Sequence, residues 1–146
     1  MTQVLAPFAG KVVGLDTVPD EVFASGMLGA GVALWPRGKI VEVCAPISGK
    51  ILSWHPHACV IVSDEGFGIL THLGLDTVQA RGRGFTWSVA KGDYVTAGDL
   101  LAQWDTHETQ DFLPLTPVVV MDVEHITRAS NTDVTAGDHL YTIAGN

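Results

Sequence analysis

The sequence predicts an all-β fold, an antiparallel β-sandwich or barrel-sandwich built from a duplicated motif, with at most short helical turns. Three observations carry that prediction. The apolar runs are short and β-branched, and 16 Gly and 7 Pro punctuate them. No segment keeps a 3.6-residue apolar period for three turns with proper caps. Finally, the chain repeats itself. Val4 to Val13, VLAPFAGKVV, matches Val43 to Leu52, VCAPISGKIL, and Val95 to Leu101, VTAGDLL, matches Val134 to Leu140, VTAGDHL. Both pairs are offset by 39 residues. Such a repeat reads as two similar strand-turn-strand units whose apolar faces cover each other.

Taken in order, the first A-P-x-x-G-K copy opens the chain, its Pro suiting a strand start or edge and its Gly a tight turn. Asp16 to Leu34 follows. Pro19-Asp20 marks a turn, and Val22, Phe23, Met27 and Leu28 are apolar residues in a Gly-punctuated loop. They either tuck into the core or rim a docking surface. After the second copy come two apolar runs, ACVIV and FGILTHLG, joined by Ser63-Asp64-Glu65-Gly66. Ser at the first position and Gly at the fourth suit a type I turn, so the runs form a hairpin. With Ser63 facing Gly66, His57 lies directly opposite His72, and Cβ atoms so placed are roughly 4.5–5.5 Å apart. A slip of one residue puts the two rings on opposite faces. Val118 to Ala129 is the best candidate for a helical turn, with Asp122 as N-cap and Glu124 in the first turn.

A chain of 146 residues fits one domain, residues 1–146, with a real core. Its net charge of −8 argues against nucleic acid as a partner, since no basic patch is present to neutralise phosphates. No apolar run reaches the ~18–20 residues of a membrane span, and no leader pattern opens the sequence. A cytoplasmic, monomeric protein without direct membrane insertion is expected. Cys44 and Cys59 sit in apolar strand-like runs without metal-site spacing and are expected as buried, reduced thiols.

Nearly the whole chain resembles the IIA component of the glucose-type (glucose/N-acetylglucosamine/β-glucoside) phosphoenolpyruvate:sugar phosphotransferase system. The matching stretches are VLAPFAGKVVGLDTVPDEVFASGMLGAGVAL, VCAPISGKI, HACVIVSDEGFGILTHLGLDTV, the Gly82-x-Gly84-Phe85 turn, KGDYVTAGDLL, LTPVVV and the second VTAGD. The resemblance implies a cytoplasmic phosphohistidine carrier of β-sandwich fold. His72 corresponds to the histidine that takes the phosphoryl group from HPr, and His57 to the neighbour that helps pass it to a cysteine on the IIB domain of a sugar permease. Asp20 and Asp76 correspond to acidic residues around the site, facing a partner or anchoring a ring. Val22, Phe23, Leu28, Leu70 and Val78 fall on the docking surface. No obligatory cofactor is implied, although His57 and His72 leave room for an adventitious zinc ion.

Imidazole suits the role because its lone pair is available near neutral pH without a strong base. Phosphoryl transfer is loose and in line, so catalysis is mostly positioning and stabilisation of the equatorial oxygens. The sequence departs from the family at several points, Pro56 before His57 among them. His55 stands where the family has a threonine that orients the second histidine, so either His55 takes over that role or His57 is held differently. Arg83 replaces an acidic residue between Gly82 and Gly84, and Ser53 replaces a docking-surface aromatic beside Trp54. The amphipathic N-terminal tail of some members is missing, so no membrane-docking helix is expected.

Two other classes share parts of this pattern. His55-Pro-His57 is an H-x-H pair, as in zinc peptidases of related β architecture, but catalytic zinc needs three protein ligands. His72, Asp76, His107, His125 or His139 would have to complete the set. The A-P-x-x-G and VTAGD patterns also look like biotinyl or lipoyl carriers, which need a lysine at a hairpin tip. Lys11, Lys39, Lys50 and Lys91 lack that setting.

Overall fold

In the computed structural model, residues 1–144 are described. The strands are β1 (Thr2–Leu5), β2 (Gly10–Gly14), β3 (Gly29–Pro36), β4 (Ile40–Cys44), β5 (Gly49–His55), β6 (Ala58–Val62) and β7 (Gly68–His72). They continue with β8 (Phe85–Trp87), β9 (Tyr94–Val95), β10 (Leu100–Asp105), β11 (Thr116–Met121), β12 (Thr127–Arg128), β13 (Asp133–Val134) and β14 (His139–Ile143). Among the described residues helix is confined to α1 (Glu21–Ala24) and to 3-10 turns at Leu15–Thr17 and Thr77–Ala80. The expected all-β class is the observed one.

An eight-stranded antiparallel sheet runs β13-β2-β3-β11-β7-β6-β5-β9, and two three-stranded sheets, β1-β14-β12 and β4-β10-β8, accompany it. The duplication is visible in the hydrogen bonds. Leu5 N–H donates to the Pro46 carbonyl at 2.8 Å, and Cys44 N–H donates to that of Pro7 at 2.7 Å. Ala6 N–H reaches the Asp138 carbonyl at 2.7 Å, and its counterpart Ala45 reaches that of Asp99 at 2.8 Å. Each A-P-x-x-G-K copy is therefore tied to the other copy and to one VTAGD turn. In both turns the Asp carboxylate accepts from the Thr backbone N–H, Asp99 from Thr96 at 2.9 Å and Asp138 from Thr135 at 2.8 Å. The following registers match too, with Gly10 opposite Val134 and Gly49 opposite Val95.

The main core lies on one face of the large sheet, where Phe8, Leu34, Ile51, Ile61, Ile69, Trp104 and Tyr141 are all buried. Trp104 donates its indole N–H to Thr109 Oγ1 at 2.9 Å, and Tyr141 its hydroxyl to the Val118 carbonyl at 3.2 Å, so neither polar tip is left unpaired. A smaller cluster covers part of the opposite face. Leu15, Val18, Phe23, Ala33, Leu75, Leu115 and Val119 form it, with Leu28 and Leu70 packed on its margin. The 15–28 segment thus lies on the face that carries His72.

Two local expectations are corrected. Val118 to Ala129 holds no helical turn: β11 runs on to Met121, and Asp122 is left-handed at φ 60° and not an N-cap. Three successive valines, Val118 to Val120, and a place between β3 and β7 make that segment a central strand buried on both faces. The helix lies instead where a loop was expected, because Asp20 Oδ1 accepts from Val22 N–H at 3.0 Å and caps α1. Cys44 and Cys59 are both free, but only Cys59 is fully buried, with its thiol pushed up to about 12 by burial.

Candidate phosphoryl-carrying site

The hairpin β6–β7 is one residue longer in its loop than expected. Gly66 N–H donates to the Ser63 carbonyl at 2.9 Å, closing the turn, but Ser63 N–H then donates to the Phe67 carbonyl at 2.9 Å. Gly66 at φ 91° supplies the left-handed residue of a three-residue loop. Every pair slides by one as a result, and His72 faces Ala58, not His57. The slip nevertheless does not separate the rings. His55 pairs with Ala58, so Pro56 and His57 are the two turn residues between β5 and β6, outside the strand alternation. The His57 and His72 ring centroids are 5.0 Å apart, with planes at 75°.

His72 ends β7 and shares its face with Leu70. Its Nδ1 is 2.6 Å from the Gly74 carbonyl oxygen. A carbonyl only accepts, so Nδ1 carries the proton and Nε2 keeps the lone pair. Gly74 is held in turn. Its N–H donates to Thr116 Oγ1 at 3.3 Å, and Thr77 Oγ1 donates to the Leu73 carbonyl at 2.7 Å. Gly74 sits at φ 81°, and a Cβ there would meet Thr77 Cγ2 at 2.6 Å and the Leu113 carbonyl oxygen at 2.9 Å. The sequence reading missed this residue, although the H-x-G spacing was present. Burial pushes His72 below its ordinary value. The Gly74 contact and the charges of Asp20 and Asp76 oppose that without reversing it.

His57 is half-buried, and its value falls from 6.5 to about 4. Loss of solvent is the main cause, followed by repulsion from like positive charge on His72 and then His55. The exposed His55 ring lies 6.0 Å from that of His57, tilted by 31°. Among the described residues the ring hydrogen bonds are those of His72 and His139, so His55 does not orient His57 through one.

The other expected site residues divide into rim and wall. Phe23 is only 6% exposed and stands edge-on to His72, centroids 5.3 Å apart. Its placement on the docking surface is corrected: it is core, and forms one wall of the His72 recess. Val22 is 43% and Val78 59% exposed, whereas Leu28 and Leu70 are partly buried, packed against the cluster that contains Phe23. Asp20 spends one carboxylate oxygen on its cap, whereas Asp76, at φ 60° before the 3-10 turn, makes no cap bond.

Clefts lined by Leu52, Phe67 and Met121, and by Lys50, Lys91 and Tyr94, include neither ring. Zinc is not supported at the pair. Two imidazoles fall short of three ligands, and among the described residues no group of three or more His, Cys, Asp or Glu could hold a metal ion. His125 and His139 are exposed elsewhere, His125 beside Glu124 and His139 bonded to Thr142. Lys11 and Lys50 lie within strands and are not at a hairpin tip.

A β-sandwich that sets two touching imidazoles in an open, partly apolar face defines a class: proteins that exchange a small group with other proteins. The comparisons make this specific. A family model described as "phosphoenolpyruvate-dependent sugar phosphotransferase system, EIIA 1" matches residues 2–126. The glucose-specific EIIA component of the PTS system of Oceanobacillus iheyensis is 38% identical over 143 residues, 93% of this chain and 86% of that protein. A β-glucoside-specific EIIBCA component from Halalkalibacterium halodurans is 38% identical over 146 residues, 94% of this chain and 22% of that longer protein. The solved structure of glucose permease IIA from Mycoplasma capricolum matches with a TM-score of 0.88 at 34% identity, covering 96% of this chain and 94% of that one. The chain belongs to the EIIA family of the phosphoenolpyruvate-dependent sugar phosphotransferase system. It is a phosphotransferase component of sugar uptake, with HPr and a IIB domain as its partners. Among the described residues no helix is long and apolar enough to cross a membrane.

Proposed function

We propose that residues 1–146 form one cytoplasmic, monomeric IIA unit in which Nε2 of His72 carries the phosphoryl group. The observation that supports this reading is the 2.6 Å contact between His72 Nδ1 and the Gly74 carbonyl, which leaves Nε2 as the nucleophile. In uptake, the Nε2–P bond forms as the N–P bond of phospho-HPr breaks, and the HPr ring recovers its electron pair. Attack by a neutral ring leaves His72 cationic, with its Nδ1 proton retained. The Gly74 carbonyl and the charges of Asp20 and Asp76, all of which favour the charged ring, stabilise that product. Delivery reverses the sequence, with the IIB cysteine thiolate taking phosphorus and His72 returning to neutral.

His57 acts on the phosphoryl group, not as its resting place. It is neutral at pH 7, so it has one N–H to offer an equatorial oxygen and one lone pair. Val22, Leu28, Leu70 and Val78 supply the apolar rim on which the partners settle, and Phe23 supports the His72 ring beneath it. Intact-mass measurement after incubation with phosphoenolpyruvate, enzyme I and HPr tests the reading. It expects an acid-labile gain of one phosphate that maps to His72. No gain, or a gain on another residue, overturns it.

A further inference from the structure

We propose that Trp87 is a positioning residue for His57, holding the turn that aims it at His72. The proposal rests on the role given to His57 above. His57 makes no ring hydrogen bond among the described residues, so its aim depends on its backbone. Both carbonyls flanking its Cα are held. The carbonyl before it, of Pro56, accepts from the Trp87 indole N–H at 2.8 Å. Its own carbonyl accepts from the Leu73 N–H at 2.7 Å, which ties it to the residue after His72. The Trp87 bond reaches across 31 residues of sequence to a two-residue turn that would otherwise be held at the His57 carbonyl but not at that of Pro56.

Trp87 is itself fixed. It lies on β8 opposite Ala102, a fully buried residue of the main core. Trp54 packs edge-on against it, centroids 5.8 Å apart with planes at 79°. Proline fixes φ, so rotation about ψ is the freedom left at Pro56, and that rotation moves its carbonyl and His57 together. The indole N–H opposes that one motion. An error of about 1 Å in a reacting group costs up to ~100-fold in rate, so this constraint bears on transfer.

Trp87→Phe keeps an aromatic ring against Trp54 and removes the donor. Its expected effect is a delivery rate to the IIB cysteine lowered about three- to tenfold, as for loss of one hydrogen bond that orders a reacting group. A double-variant cycle with His57→Gln should show coupling: once His57 is Gln, Trp87→Phe adds little. Independently of transfer, the His57 titration followed by NMR should move in Trp87→Phe from about 4 toward 6.5, as the ring gains water and leaves His72. A merely structural role lowers melting temperature without moving that titration. An unchanged titration midpoint, or equal rate losses from Trp87→Phe with and without His57, overturns the positioning role. If His57→Gln alone leaves delivery untouched, the reading of His57 fails instead, and the titration still decides whether Trp87 aims its ring.

Discussion

Phe23 stands edge-on to His72, ring centroids 5.3 Å apart and planes at 61°. It is also part of the apolar cluster with Leu75, Leu115 and Val119. One side chain therefore both fills a core and shapes the site. Truncating a buried Phe costs about 3–5 kcal/mol, and a buried serine hydroxyl adds to that. Phe23→Ser is expected to lower stability by at least about 3 kcal/mol in urea unfolding. Phe23→Leu should recover most of it. A midpoint for Phe23→Ser close to the parent's would return this residue to the partner-facing rim.

The two histidines are expected to fail differently. His72→Ala removes the only Nε2 lone pair set up by the Gly74 contact, so uptake from phospho-HPr should be abolished. His57→Gln keeps an N–H donor of similar reach but loses ring geometry. It should still reach full phosphate occupancy, with delivery to IIB slowed at least about tenfold. Rapid-quench measurement of both half-reactions checks this. Equal loss of uptake in the two variants means that the rings act as a unit, against the division argued here.

Both rings are easier to keep neutral folded than unfolded, which sets the sign of a pH effect. His57 lies at about 4 in the folded chain against an ordinary 6.5, and His72 is lowered too. Between those limits the unfolded chain binds more protons, so stability rises with pH. The contribution is fully present above 6.5 and is lost as pH falls toward 4. For the half-buried His57 it is about 1–2 kcal/mol once solvent screening is allowed for. Urea unfolding from pH 7 to pH 4 should show the loss, and His57→Gln/His72→Gln should flatten it. An unchanged slope in the double variant assigns the effect to other groups.

What was legible in the sequence was whatever depended on pattern. Period, punctuation and the repeat disclosed the all-β class, because each VTAGD copy closes its turn through its own Thr and Asp, and each A-P-x-x-G-K copy places the same Pro and Gly punctuation between strands. The meeting of His57 and His72 was anticipated, but through the wrong register. One extra loop residue, Phe67 in place of Gly66 opposite Ser63, shifts the ladder, and the turn position of His57 compensates. Loop counting does not reveal that, since the choice depends on Gly66 adopting a left-handed conformation. The Gly74 carbonyl and Trp87 escaped for a related reason. One acts through its backbone, and the other comes from a strand far along the chain. Phe23 was misplaced because an amphipathic loop reads alike whether its aromatic points up or down, and the short capped helix α1 turns it down.

The repeat makes a last prediction of its own. Gly10 and Gly49 occupy the same place in the two motif copies, and a Cβ on either would drive into a backbone carbonyl, of Trp35 or of Val62. Backbone in a paired strand has little room to give, and overpacking of this kind costs about 1–3 kcal/mol. Gly10→Ala and Gly49→Ala should therefore destabilise by similar amounts in urea unfolding. Gly38 offers the contrast, since a Cβ there meets nothing within 4 Å and the only cost is its left-handed φ of 94°. A strain of about 1–2 kcal/mol is then expected without strand displacement. Amide exchange separates the cases: Gly49→Ala should weaken protection along β5 and β6, whereas Gly38→Ala should leave it in place. A Gly49→Ala variant with parent stability and full protection would mean that the motif glycine serves its turn alone, and the steric account of the duplication would fall.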